Sequence, residues 1–167
     1  MRLVSFLVSL TSVLALVGLL LVVPAWAGDT PRDRATLKGI SAIQVGIEKI
    51  QPDAERDGLS RSQIQAGVES RLKQSGIKLD TSSPYLLHVV VSTVRDLESP
   101  TYGFNVAVAF HQGVSLPRHP KNLYLATTWS VSRVGTVGVA RLPDVQSLVI
   151  DQVDKFITAY LEQNPKR

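Results

Sequence analysis

Apolar residues follow strand-like patterns along four stretches of the chain. In the first, Ile43, Val45 and Ile47 alternate with polar or small neighbours, which predicts a strand. Three longer runs follow at residues 85–95, 102–116 and 123–133. The short, Pro-containing connections between these runs favour antiparallel hairpins. We expect residues 134–141 to extend the last strand through a bulge.

The first helical pattern has both its start and its end marked in the sequence. Ser60 is a candidate N-cap, and Gln63 stands three residues later, as in a capping box. Apolar residues then recur at a spacing of four, and Gly76 suits the left-handed end of a helix. We predict a helix over residues 61–75.

The second helical pattern closes the chain and sets the fold class. From Asp144 onward apolar residues follow helical spacing through about five turns. Asn164 and Pro165 end this helix. The element order is therefore β-α-β-β-β-α. It predicts an α+β domain with a four-stranded, mostly antiparallel sheet and both helices packed on one face.

One face of the predicted sheet meets the helices and the other is open. The large side chains at even positions in 104–110 and at odd positions in 123–131 are expected to face the helices. The open face then carries small, mostly uncharged side chains beside hydrogen-bonding ones, a mixture typical of interfaces. We predict as interface residues His88, Val90, Asn105, Ala107, Ala109, His111, Tyr124, Ala126, Thr128 and Ser130.

The first 27 residues have the features of a cleavable signal peptide. Arg2 gives a positive start, and the apolar stretch that follows is ended by Pro24. Small residues at Ala25 and Ala27 predict cleavage after Ala27. An uncleaved anchor is the alternative, since an apolar stretch of about 20 residues spans a bilayer. We expect a periplasmic or secreted protein with no stable membrane anchor after cleavage.

The remaining chain is predicted to form one domain. Residues 28–38 are polar and aperiodic, so we predict a flexible leader, followed by a single α+β domain over residues 39–165. The chain has no cysteine. This excludes a lipidated cysteine, disulfides, a thiol nucleophile, cysteine-based zinc sites and iron–sulfur clusters.

The charge of the chain does not indicate a nucleic-acid partner. The formal net charge is +4 and falls to +3 without Arg2. Basic residues are scattered and do not interleave with aromatic ones, as binding to single-stranded nucleic acid would require. The charge supports at most a weak attraction to an anionic envelope surface.

The polar residues predict neither a catalytic site nor a cofactor. Motifs for nucleophilic, nucleotide-binding and zinc-protease chemistry are absent from the sequence. The glycines in 135–138 lack the following lysine and helix of a phosphate loop. His88 and His111 fall on neighbouring strands, but neither strand supplies a carboxylate to complete a metal site. His119 is expected in a solvated turn.

Short motifs give the chain a family resemblance. They are the strand at residues 43–47, the helix end at Ser75-Gly76-Ile77, Ala126-Thr127-Thr128-Trp129, and Phe156-Ile157 through Asn164-Pro165. With them, residues 38–165 resemble small exported bacterial proteins of unassigned function. The element order is similar to that of the TolB amino-terminal domain and of auxiliary components of lipid-transport ABC systems. Many of those proteins are lipoproteins, whereas this chain lacks the cysteine, and no catalytic residue carries over.

Three functional hypotheses follow. The leading one is a non-enzymatic envelope accessory domain that binds an envelope protein, or a second copy of itself, through the open sheet face or a sheet edge. The alternatives are a carrier of a small apolar ligand held between sheet and helices, and an envelope hydrolase. A hydrolase would require a buried polar site with clustered titratable groups.

Overall fold

A computed structural model describes residues 28–165, so the predicted signal peptide at residues 1–27 lies outside the described residues. The helices are α1 (Pro31–Ala35), α2 (Pro52–Arg56), α3 (Arg61–Gln74) and α4 (Val145–Gln163), with a 3-10 segment at Val139–Asp144 before α4. The strands are β1 (Gln44–Ile47), β2 (Leu86–Arg95), β3 (Thr101–Leu116) and β4 (His119–Gly138). None of the helices in this part of the chain is long and apolar enough to cross a membrane.

The four strands form one sheet in the order β1-β2-β3-β4. The crossover through α3 leaves β1 parallel to β2, whereas β2, β3 and β4 are joined by hairpins and pair antiparallel. The predicted α+β fold class, with its mostly antiparallel four-stranded sheet and two long helices, is confirmed.

Helix α3 begins and ends where its local sequence predicts. The Ser60 hydroxyl accepts a hydrogen bond from the backbone N–H of Gln63 at 3.4 Å. Gly76 takes a left-handed φ of +81° just after the helix. The apolar stripe of Ile64, Val68 and Leu72 is fully buried.

A cluster of aromatic rings fills the space between α4 and the sheet. The ring of Phe156 lies 5.4 Å from that of Phe110, 5.3 Å from that of Trp129 and 6.0 Å from that of Tyr160, between centroids. Each such ring pair stabilises the folded state by about 1 kcal/mol beyond the contribution of burying the rings. The Tyr160 hydroxyl donates to the backbone oxygen of Ile40 at 2.6 Å, so this buried polar group is satisfied.

The stretch predicted as a flexible leader is folded onto the domain. Thr30 and Asp33 form a complete capping box at α1, and Leu37 is fully buried. The Asp29 carboxylate accepts hydrogen bonds from Trp129 Nε1 at 2.7 Å and from Arg34 Nε at 2.7 Å. The capping box and the pairing of Asp29 with Arg34 are local, whereas the hydrogen bond from Trp129 to Asp29 is made across the fold and has no signal in the local sequence.

Strands β3 and β4 extend beyond the rest of the sheet. Strand β2 pairs with β3 only as far as His111, so residues 112–126 form a two-stranded arm that ends in a tight turn at Pro117. The register shifts between Phe110 and His111, where β4 contains one extra residue. The expected bulge therefore exists, but it lies near residue 128 and not in residues 134–141.

Candidate functional site

The side of the sheet that faces away from α3 and α4 is formed by alternate residues of β2, β3 and β4. His88 lies opposite Ala109, and Val90 lies opposite Ala107. Ala109 in turn lies opposite Ser130. We call this surface the open face. From the strand register it comprises Leu86, His88, Val90, Ser92, Val94, Gly103, Asn105, Ala107, Ala109, His111, Ser130, Ser132, Val134 and Thr136.

Seven of the ten predicted interface residues lie on this open face, and their role in an interface remains a prediction. They are His88, Val90, Asn105, Ala107, Ala109, His111 and Ser130. The face assignment is wrong for Tyr124, Ala126 and Thr128. Ala126 lies opposite Gln112, whose side-chain amide donates to Thr128 Oγ1 at 2.7 Å on the α1 side of the sheet.

The bulge explains these three differences. One extra residue reverses the alternation of side chains in residues 123–127, which precede it in β4. Leu123 and Leu125, predicted to face the helices, are instead 79% and 71% exposed on the arm. Thr127 takes the open-face position beside His111, with 3.1 Å between Thr127 Oγ1 and His111 Nδ1.

The open face is partly apolar and carries almost no charge. Ala107, Ala109 and Val90 are half-buried at its centre, and Val94 and Val134 are largely exposed at one end. Its residues include no Asp, Glu, Lys or Arg. Such a surface can approach another molecule without desolvating a charged group at its centre.

The two histidines of the open face lie side by side on neighbouring strands. The centroids of the His88 and His111 rings are 5.7 Å apart, and the ring planes are tilted by 54°. Burial, with a smaller contribution from the neighbouring His88, lowers the pKa of His111 below its ordinary value. The two rings thus lie next to each other on the open face.

A carboxylate that the sequence argument missed stands beside this pair. Glu48 Oε2 lies 3.2 Å from His88 Nε2. Glu48 directly follows β1, and its backbone N–H donates to the Val89 oxygen at 2.9 Å, which fixes its position beside β2. Glu48 follows β1, the parallel neighbour of β2, so the sequences of the two strands that carry the histidines do not reveal it.

The N-terminal end of the described chain covers part of the β4 edge. The backbone N–H of Ser130 donates to the Gly28 oxygen at 2.9 Å. Gly28 has a φ of +88°, and a Cβ at this position would collide with Ser130 Oγ. Gly28 thus occupies part of the hydrogen-bonding edge of β4, next to the buried Trp129.

The grooves found in the structure lie outside the core. One of about 450 Å³ lies between residues 48–52 and the end of β2, and one of about 420 Å³ lies between the end of β4 and the start of α4. A third of about 260 Å³ is lined by β1, α3 and residues 79–81. Within residues 28–165, no group of three or more His, Asp or Glu side chains is arranged to hold a metal ion.

No protein-family model and no curated protein matches the chain. Among solved structures, the PelC dodecamer from Paraburkholderia phytofirmans is 14% identical, with a TM-score of 0.41 over 70% of this chain and 87% of that one. A minor lipoprotein from Acinetobacter baumannii is 13% identical, with a TM-score of 0.27 over 74% of this chain and 86% of that one. Likenesses this distant carry no inference about this chain, and the resemblance to TolB-like and ABC-auxiliary domains remains a prediction.

Proposed function

We propose that this chain is an exported, non-enzymatic accessory domain of the bacterial envelope that binds another protein, or a second copy of itself, through the open face. The observation that carries the proposal is the uncharged open face itself. Helices α3 and α4 pack on the opposite side of the sheet, and no other element of residues 28–165 is packed over the open face. The exported location rests on the predicted signal peptide.

The composition of the open face supports a protein partner. The residues Gly103, Ala107 and Ala109 have small side chains or none, so the backbone of a second sheet or a helix can approach this face closely. Serine and threonine hydroxyls and the Asn105 amide supply hydrogen bonds at positions between these residues. Nucleic acid is not proposed as a partner, because the face carries no basic patch.

The nearly buried carboxylate of Asp29 and the buried hydroxyl of Tyr160 have structural partners, which supports the non-enzymatic part of the proposal. The carboxylate of Asp29 is bound by Trp129 and Arg34, and the hydroxyl of Tyr160 is bound by Ile40. Asp29 lies on the α1 side of the sheet, where its partners are structural side chains.

A charge placed at the centre of the open face tests the proposal. Ala107→Lys should abolish association, because it buries a charge with no partner in the interface, and the domain should stay folded. Ala66→Lys is the matched control, since Ala66 is exposed on α3. Association is measured by sedimentation equilibrium for self-binding, and by photo-crosslinking from position Ser132 in the bacterial envelope for another protein.

Two outcomes would overturn this function. In the first, the parent chain is monomeric, and any crosslink formed from Ser132 is unchanged by Ala107→Lys. The second is unfolding of the monomer by Ala107→Lys, detected by circular dichroism, which would make Ala107 a core residue.

A further inference from the structure

We propose that His88 and His111 form a two-nitrogen binding site on the open face for a divalent transition-metal ion of the Cu²⁺, Ni²⁺ and Zn²⁺ class. The site goes beyond the protein-binding function proposed above and does not depend on it. It rests on the geometry of the two rings, on the partners of their nitrogens and on the surroundings of the pair.

The separation of the two rings fits a shared ion. A metal–nitrogen bond to histidine is about 2.0–2.1 Å long, which places two imidazole centroids on one ion roughly 5–6 Å apart at tetrahedral or wider angles. The observed centroid separation of His88 and His111 is 5.7 Å, with the rings tilted at 54°. They occupy diagonal positions on paired strands, since His88 lies opposite Ala109 and His111 lies opposite Leu86.

Among residues 28–165, each ring has an oxygen partner on one of its two nitrogens. His88 Nε2 is 3.2 Å from Glu48 Oε2, and His111 Nδ1 is 3.1 Å from Thr127 Oγ1. A histidine that binds a metal usually donates its second ring N–H to such an oxygen, which fixes the tautomer and makes the ligating nitrogen more basic. In this arrangement Nδ1 of His88 and Nε2 of His111 are the ligating atoms.

The surroundings of the pair favour a cation. The His88 side chain is 29% exposed, and Gly46, opposite it on β1, has no side chain to cover the ring. Glu48 contributes a negative charge beside His88.

The composition of the site limits the choice of ion. With no third His, Asp or Glu arranged as a ligand in residues 28–165, the protein supplies two nitrogens, and water or a donor from another molecule completes the coordination. Imidazole suits Cu²⁺, Ni²⁺ and Zn²⁺, with Cu²⁺ bound most tightly. Mg²⁺ and Ca²⁺ require several oxygen ligands and should not bind.

Titration of the purified protein, free of any polyhistidine tag, tests the site. Isothermal calorimetry with Cu²⁺ and with Zn²⁺ should show one equivalent bound. We expect His88→Asn and His111→Asn each to weaken this binding more than tenfold. His119→Asn is the matched control, because His119 lies at the start of β4 near the turn of the arm, away from the pair, and should leave the binding unchanged. Glu48→Gln should weaken binding about tenfold through the orientation of His88.

A spectroscopic measurement on the unaltered protein keeps the test independent of folding. The electron paramagnetic resonance spectrum of the Cu²⁺-loaded chain should show coupling to two histidine nitrogens. The proposal is overturned if binding survives both His88→Asn and His111→Asn, if His119→Asn lowers it equally, or if the spectrum shows one nitrogen or none. Failure of this site would leave the Ala107→Lys test of protein binding unaffected.

Discussion

At the scale of single residues, the Asp29 carboxylate is nearly buried and bound by two neighbouring side chains. Its side chain is only 6% exposed, and Arg34, which binds it, also reaches Glu162 at 2.6 Å. Burial raises the pKa of Asp29, but hydrogen bonds from Arg34 and Trp129 outweigh burial, and the net pKa is lowered. The carboxylate thus links α1, β4 and α4.

Asp29→Asn should lower the free energy of unfolding at pH 7 by about 2 kcal/mol, because the three hydrogen bonds that Asp29 accepts from Arg34 and Trp129 lose their charged acceptor. Since folding lowers the pKa of Asp29, its contribution is complete above the unfolded-chain value of about 3.9 and is lost as pH falls through the folded value. The difference between variant and parent should therefore shrink below about pH 4. Urea denaturation at several pH values measures it.

The control for this change is Asp151→Asn. Asp151 is exposed on α4 and lies 3.9 Å from Arg133, so we expect a change within about 0.5 kcal/mol. Equal losses for both variants would contradict the structural role given to Asp29.

At the scale of elements, the arm of β3 and β4 is the least supported part of the sheet. Neither β2 nor the two long helices cover residues 113–125, and the large apolar side chains Leu123 and Leu125 are mostly exposed there. A two-stranded ribbon without a packed face adds little stability of its own.

Replacing Leu123 and Leu125 together by alanine should change the free energy of unfolding by less than about 0.5 kcal/mol. Leu87→Ala, the same chemical change at a fully buried position of β2, should cost about 2–5 kcal/mol. Thermal and urea unfolding compare the variants. A loss of several kcal/mol at Leu123 and Leu125 would restore the original expectation that they face the helices.

At the scale of the whole molecule, the sequence predicts those structural features that depend on residues close together along the chain. Ser60 and Gly76 mark the ends of α3 through local hydrogen bonds and backbone freedom, so α3 was predicted to within a residue. The side of the sheet on which Tyr124 lies could not be predicted. The alternation of side chains in β4 reverses at a bulge, and this bulge depends on pairing with β3. The proximity of Glu48 to His88 likewise depends on strand order, which no local pattern specifies.

The segment that contains α1 contributes to the stability of the whole fold. Removing residues 28–36 should lower the free energy of unfolding by at least about 2 kcal/mol, because it takes away Asp29 and uncovers Trp129 and the β4 edge. The uncovered edge should also promote association between strands of different molecules. Urea denaturation and concentration-dependent light scattering measure these two effects. A truncated chain as stable and monodisperse as the parent would contradict both.

The hydrogen bond between Gly28 and Ser130 affects when the predicted signal peptide can be removed. On the predicted cleavage after Ala27, the bond to be cut adjoins a residue that the folded domain holds against a strand edge. Proteases act on chain ends that are not tied down. If cleavage follows Ala27 as predicted, we expect removal of the signal peptide to compete in time with closure of the β4 edge, and we expect a molecule that folds first to be cleaved more slowly.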